Sequence, residues 1–261
     1  MHRIEPQVFL IAATTIDHNE LDKYLQHINA TDWSSDAKTD VEEIIEIMGR
    51  SCYKSFGTQL NPNVTMVRKS NEDHLTNLIK VGHGSVMEHA WASFMFCDVS
   101  RVLTHELVRH RAGTAVSQES LRFVRLTDIG LWIPSCFAND PQSVKILENH
   151  WEDAEKTYSL LIERASEIEG VDFDSLPFSK KKEYTSAARR VSPIGTATNI
   201  GWSCNMRSIR HVIEMRTSPG AEEEIRLVFT KIAEIAKREW PNLFSDYEET
   251  TEGYTTDYKK V

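Results

Sequence analysis

Between residues 90 and 99 the side chains alternate, Trp91, Ser93, Met95 and Cys97 against Ala92, Phe94 and Phe96, and a period of two specifies a β-strand. Apolar residues stand on both faces of this run, so the strand is expected to be buried. Directly after it, Ser100 is placed to accept a backbone N–H at a helix start, and the pattern predicts a helix from there through Arg111. Val102, Leu103, Leu107 and Val108 lie at scattered angles around that helix, which predicts cover on more than one side. A strand running straight into such a helix, in a chain with few other strand patterns, restricts the fold to a small sheet among many helices.

The remaining pattern agrees. Spacing predicts helices over 41–48, 71–81, 142–168 and 179–191, and Ser85-Val86-Met87-Glu88 reads as a capping box for a short turn. Residues 123–133, closed by Pro134, form a second strand candidate, and 196–202 a short extended piece. Asn205 or Ser203 caps a helix that reaches about Arg216, before Pro219, and 221–240 is a final long helix ended by Pro241. The expected class is α+β with a small, mostly antiparallel sheet. Residues 1–244 are expected to form one domain. Residues 245–261, with Asp246, Glu248, Glu249, Glu252 and Asp257, are expected to be an acidic polar tail that packs little.

Composition excludes several classes of function. The chain has 261 residues, 40% hydrophobic and 26% charged, and no apolar run approaches the roughly 20 residues of a membrane span. The apolar run at 8–13 is short and is bracketed by Arg3, Glu5, Asp17 and Glu20, which is no secretory signal, so the expected compartment is the cytoplasm. Cys52, Cys97, Cys136 and Cys204 are far apart and read as reduced thiols. A net charge of -9 disfavours nucleic acid, whose binding depends on neutralising phosphates.

Positive charge is instead gathered in two places. Arg101, His105, Arg109, His110, Arg111, Arg122 and Arg125 crowd one segment that packing is expected to bury, and buried arginine requires an anionic partner. Glu106 and Glu119 are too few to pair with all of them. Guanidinium groups grip phosphate oxygens in pairs, and Ser117 and Ser120 add hydroxyl donors, so the cluster reads as a site for a phosphorylated ligand. In the second cluster, Met206, Ile209, Val212 and Ile213 form the apolar face of a helix, with Arg207, Arg210, His211 and Glu214 opposite. Arg216 projects towards the apolar side, so it either frays into solvent or reaches a ligand. His83, His89, His105 and His110 lack the spacing of a helical metal pair with an added carboxylate, and no metal is expected. Ser120 sits in no Gly-x-Ser-x-Gly elbow, which excludes that form of serine hydrolysis.

Arg109-His110-Arg111 with Ser120, Arg122 and Phe123 downstream resembles the signature of the flavin-dependent thymidylate synthases. The segment His83-Gly84-Ser85-Val86-Met87-Glu88-His89 is similar to one that the family places near its flavin, and Arg189, Asn205, Arg207 and Arg216 follow in the family's order. The resemblance spans roughly residues 40–240. It implies a catalytic domain that reductively methylates dUMP to dTMP, with FAD as cofactor, NADPH as reductant and methylenetetrahydrofolate as carbon source. It also implies a homotetramer with active sites formed between subunits.

By the same resemblance, Arg216 ionises or polarises the pyrimidine at N3. Glu106, Arg109, Gln118, Glu119, Ser120, Leu121, Arg122 and Arg189 join it in holding the nucleotide, Arg122 and Arg189 at the phosphate. His83, Ser85, Arg109, His110, Arg111, Gln118, Asn205, Arg207 and His211 line the flavin. Where the family has seven residues between the second arginine and the serine, this chain has Ala112 to Glu119, one more, and Gly113 is expected to absorb it as a bulge or wider turn. Glu119 replaces a usually apolar residue and His211 a usual amide. Two alternatives therefore stand beside dUMP methylation: a related enzyme acting on dCMP, whose amino group Glu119 would accept, and a non-catalytic nucleotide-binding protein.

Overall fold

In the computed structural model, which describes residues 1–57, 64, 66–259 and 261, the strands in chain order are β1 (His2–Arg3), β2 (Gln7–Ala13), β3 (Trp91–Ser100), β4 (Thr114–Gln118), β5 (Gly130–Leu131), β6 (Ala197–Asn205), β7 (Glu248–Thr250) and β8 (Gly253–Thr255). The helices are α1 (His18–His27), α2 (Asp40–Tyr53), α3 (Asn71–Lys80), α4 (Arg101–Leu107), α5 (Ser135–Ala138), α6 (Pro141–Glu169), α7 (Phe178–Ala188), α8 (Met206–Thr217), α9 (Glu223–Glu239) and α10 (Pro241–Phe244). Hydrogen bonds order the largest sheet β2-β3-β6-β4, and the α+β class is as expected. The chain divides into a first unit of Met1–Gln7, Met95–Arg109 and Val116–Gly201, and a second of Val8–Phe94, His110–Ala115 and Trp202–Val261.

Within the first unit, Ser100 ends β3 and starts α4, its Oγ accepting the Leu103 N–H at 3.1 Å. The helix stops at Leu107, short of the expected Arg111, because Arg109 N–H turns back to the Glu106 carbonyl at 3.2 Å. One stripe of it is buried, Leu103, Thr104 and Leu107, while Val108 is 37% exposed, so the expected cover on several sides is not found. The strand expected over 123–133 shrinks to β5. The Ser120 carbonyl accepts both Phe123 and Val124 N–H and turns the chain there. β5 pairs in parallel with β1, His2 beside Gly130 and Arg3 beside Leu131. The core of this unit gathers Leu126, Ile129 and Leu131 with Trp151, Ala154 and Tyr158 of α6. Asp140 caps α6 by accepting the Ser143 N–H at 3.1 Å, and Gly170, at φ 69°, ends it.

In the second unit α8 packs on α9. Met206, Ile209, Val212 and Ile213 are buried as their spacing predicts, as are Ile225, Val228, Phe229 and Ile232 of α9. Trp202 stacks on Phe94 with centroids 6.0 Å apart and meets Phe229 edge-on at 5.5 Å. Helix α2 continues past the expected 48 to Tyr53, and Gly49 within it lets α3 come close: a Cβ there would stand 2.8 Å from His74 Nε2. Arg50 follows, buried and paired with Glu46 at 2.6 Å.

Two expectations fail on burial. β3 is not covered on both faces: Ala92, Phe94 and Phe96 are buried, but Trp91 on the other face is 39% exposed. The acidic segment from residue 245 does pack. Tyr247, Tyr254, Thr256 and Val261 are buried, and β7 and β8 form an antiparallel hairpin. Its acidic residues are not merely solvated, because Asp246 pairs with the buried Arg210.

Candidate active site

The second unit carries His110, Arg111, Asn205, Arg207, His211, Arg216, His83 and Ser85. The turn 110–113 is bound to the start of α8. Asn205 Oδ1 caps the helix by accepting the Ser208 N–H at 2.9 Å, so Asn205 and not Ser203 is the cap; Ser203 Oγ lies 2.8 Å from Ser93 Oγ. The Asn205 N–H donates to the Gly113 carbonyl at 3.0 Å, and Ser208 Oγ donates to the Ala112 carbonyl at 2.9 Å. Gly113 has φ 64°, and a Cβ there would meet Asn205 Nδ2 at 2.2 Å. Only glycine supplies both the left-handed turn and the close approach, in keeping with the expected wider turn.

At the other end of α8, Arg216 Nε donates to His110 Nε2 at 2.8 Å. Burial pushes the His110 imidazolium down to about 4, and the charges of Arg216 and His211 add to the effect. His110, His211 and Arg216 are thus gathered. Arg210, expected on the polar face of α8, is fully buried instead.

Arg207 pairs with Glu88 at 2.6 Å. Glu88 therefore does not close the expected capping box, and the short 3-10 turn Gly84–His89 has no side-chain cap. His83 packs edge-on to Tyr53 at 5.3 Å, and its buried Nδ1 has no hydrogen-bond partner among the described residues. Ser85 is exposed. An orphaned buried imidazole nitrogen near an exposed hydroxyl fits a polar ligand such as a flavin nucleotide.

The first unit carries Glu106, Arg109, Gln118, Glu119, Ser120, Leu121, Arg122 and Arg189. Arg109, Arg122, Arg125 and Arg189 are exposed, so the expected burial of the cation cluster does not hold within the chain. Arg125 pairs with Asp174. Arg122 Nε donates to Ser186 Oγ at 3.1 Å, and its main-chain N–H to Ser120 Oγ at 3.3 Å, so Ser120 and Arg122 share one turn. Gln118 Nε2 donates to Thr104 Oγ1 at 3.1 Å. Glu119 Oε2 accepts the Asn199 N–H at 3.2 Å.

Arg101 belongs to the first cation cluster but to none of the expected ligand sets. It donates to the Glu119 carbonyl at 3.0 Å, yet its buried Nε has no hydrogen-bond partner among the described residues. Burial lowers its guanidinium pKa, and the charge of Arg189 adds to the effect against the pull of Glu119. Two cations destabilising each other beside an unpaired donor suit an anion. The signal available in the sequence was its place in the first turn of a helix, where a cation opposes the helix dipole.

The pattern that defines the thymidylate synthase complementing protein family is matched by residues 35–242. The flavin-dependent thymidylate synthase of Corynebacterium diphtheriae is 32% identical, over 88% of this chain and 92% of the relative. That of Mycobacteroides abscessus is 36% identical, over 84% of each. Among solved structures, a UMP/dUMP methylase, PolB, from Streptomyces cacaoi bound with 5-Br dUMP superposes with a TM-score of 0.64, covering 94% of this chain and 95% of its own at 16% identity. That last likeness bears on the fold alone.

Proposed function

This chain belongs to the thymidylate synthase complementing protein family, and from that premise we propose that it is a flavin-dependent thymidylate synthase acting on dUMP. The reading includes FAD as bound cofactor, with NADPH and methylenetetrahydrofolate as co-substrates. A reduced flavin, when bound, supplies the hydride that completes the methyl group. His83, Ser85, His110, Asn205, Arg207 and His211, with Arg109, Arg111 and Gln118, are the residues proposed to hold it; the His83 Nδ1, buried without a hydrogen-bond partner among the described residues, supports this.

The observation that carries the reading is the bond from Arg216 to His110, which joins the Arg-His-Arg motif to an arginine 106 positions later. Beside N3 of a uracil, a fixed guanidinium stabilises the pyrimidine anion and raises electron density at C5, where the new carbon attaches. Arg122 and Arg189 are proposed to hold the phosphate, with Glu106, Ser120 and Leu121 contributing to the nucleotide site. The dCMP alternative loses its motive, because the Glu119 carboxylate is engaged by Asn199. Assembly as a homotetramer is also proposed, supported by Ile146, Leu160, Leu161 and Ile168, large apolar side chains that stand exposed along α6 among polar ones. No helix among the described residues is long and apolar enough to cross a membrane, and the cytoplasm is the proposed compartment.

A visible spectrum of the purified protein, followed by an assay of dTMP formation from dUMP, methylenetetrahydrofolate and NADPH, tests the reading. Flavin absorbance with dTMP produced is the expected result. A protein that binds dUMP but turns over neither nucleotide nor added FAD would leave only the non-catalytic alternative.

A further inference from the structure

We infer that Ser186 is a positioning residue for the nucleotide phosphate: its hydroxyl accepts the Arg122 Nε–H, so that α7 orients Arg122 and ends in Arg189, the two cations proposed to meet that phosphate. This rests on the roles proposed for the two arginines, although the bonds themselves do not.

Helix α7 reaches both arginines through adjacent residues. Ser186 Oγ accepts from Arg122 Nε at 3.1 Å, across 64 positions of sequence. Its neighbour Thr185 is buried, with Oγ1 3.0 Å from the Arg122 carbonyl and 2.9 Å and 3.3 Å from the carbonyls of Lys181 and Lys182. The Thr185 carbonyl in turn accepts the N–H of Arg189, which closes α7 at φ -57° and ψ -11° and so keeps helical geometry. Ser186 and Arg189 thus stand at the i, i+3 spacing that places helical side chains on one face.

The turn that carries Arg122 is fastened to the same part of the chain on either side. Phe123 stacks on Phe178 at the start of α7 with centroids 6.2 Å apart, Lys182 Nζ lies 5.6 Å from the Phe123 centroid, and Arg125 pairs with Asp174. Arg190 Nη1 donates to the Ser186 carbonyl at 3.2 Å and not to its hydroxyl. Side chain and main chain of Arg122 are therefore both referred to α7.

Arg122 is exposed, and a long stem gives up rotamer freedom when it closes on an anion. A bond made before the ligand arrives removes part of that loss. It engages Nε, and the Nη1–Nη2 edge of a guanidinium is a planar fork that matches two phosphate oxygens. A carboxylate at 186 would also orient Arg122 but would compete with the phosphate for its charge, whereas a hydroxyl leaves that charge intact.

The test measures binding of dUMP and of deoxyuridine by calorimetry, and turnover of dUMP, in the full chain supplied with FAD. S186A should weaken dUMP binding about fivefold or more, as expected for losing a hydrogen bond from a charged group, while S186T keeps the hydroxyl and should stay within about twofold of wild type. Deoxyuridine lacks the phosphate and should bind wild type and S186A alike. In turnover the loss should fall on KM with kcat retained, and S186A should add almost nothing once Arg122 is Ala. Equal dUMP affinity in wild type and S186A, equal losses in S186A and S186T, or a matching loss for deoxyuridine would overturn the inference. A wild type that bound dUMP but made no dTMP would end the proposed activity, while the binding comparison would still decide the role of Ser186.

Discussion

Arg210 and Asp246 form a two-pronged ion pair inside the protein, Nη1 to Oδ1 at 2.8 Å and Nη2 to Oδ2 at 2.7 Å, with Arg210 fully buried. Tyr247 lies against the guanidinium, 4.8 Å from ring centroid to Cζ, and its hydroxyl donates to the Arg210 carbonyl at 2.8 Å. Thr256 donates to Asp246 as well. Through these bonds the acidic C-terminal segment becomes a strap on α8, the helix that carries Arg216. Gly253 presses close to the Thr217 carbonyl, and the Tyr254 N–H donates to Thr217 Oγ1 at 2.8 Å.

Removing Asp246 strands a buried cation. D246A should lose about 3–5 kcal/mol of unfolding free energy, the usual cost of breaking a buried pair from one side. Urea denaturation measures it, and a loss below about 1 kcal/mol would show that the strap is dispensable.

Acid should reproduce part of that loss. Burial alone would raise the Asp246 carboxyl pKa, but the bonds and charge of Arg210 outweigh it and hold it below the ordinary value. A carboxyl whose folded pKa is depressed contributes stability that is fully present above its unfolded value, about 3.9, and is lost as pH falls through the folded value. The stability gap between wild type and D246N should therefore be constant above about pH 5 and narrow below about pH 4. A gap independent of pH down to 3 would show that the ionised carboxylate is not what Arg210 needs.

Gly113 faces two separate demands, a positive φ and the nearness of Asn205 and Ser208. G113A should cost about 2–3 kcal/mol, combining left-handed strain with disturbance of the α8 cap. G113N separates the demands, because Asn tolerates the left-handed region but still carries a Cβ. It should be nearly as damaging as Ala in thermal melts, and full recovery by Asn would reduce the case to backbone strain.

What the sequence revealed here was local. The Asn205 cap, the apolar face of α8 and the Ser100 hinge between β3 and α4 depend on neighbours within a few residues. What it hid was decided by distant partners. Arg210 reads as a solvated residue until Asp246, 36 positions on, is brought to it, and Glu88 reads as a cap until Arg207, 119 positions on, claims it. β4 was missed because Thr114–Gln118 has a mostly exposed strand pattern with no apolar alternation to betray it. At the candidate site, a family resemblance proposes residues, but the bond from His110 to Arg216 could not be found by spacing.

Arg216 should matter to chemistry more than to binding of the cofactor. R216A should raise the barrier to dTMP formation by about 3 kcal/mol, a loss of about a hundredfold in kcat, as expected for one preorganised donor, with flavin content retained. R216K should not restore it, since an ammonium cannot both donate to His110 through Nε–H and present a planar pair of amino groups. Near-normal turnover in R216A would make Arg216 a structural residue.

The surroundings of Glu119 bear on which pyrimidine the proposed site should prefer. Its Oε2 accepts the Asn199 N–H at 3.2 Å, its own N–H donates to the Asn199 carbonyl at 2.9 Å, and its carbonyl accepts from Arg101 at 3.0 Å. A carboxylate held this way binds its own backbone neighbourhood and is not offered to an amino group on a base. Cytosine presents a donor at N4 that needs such an acceptor, while uracil presents the acceptor O4. Turnover with dUMP should therefore exceed that with dCMP by about tenfold or more, the penalty for leaving a polar group of the base unpaired. E119Q should keep that preference, since its amide oxygen can still accept the Asn199 N–H. Side-by-side assays of wild type and E119Q on both nucleotides check it. A wild type that prefers dCMP, with the preference lost in E119Q, would mean that the carboxylate leaves Asn199 for the base when the nucleotide binds.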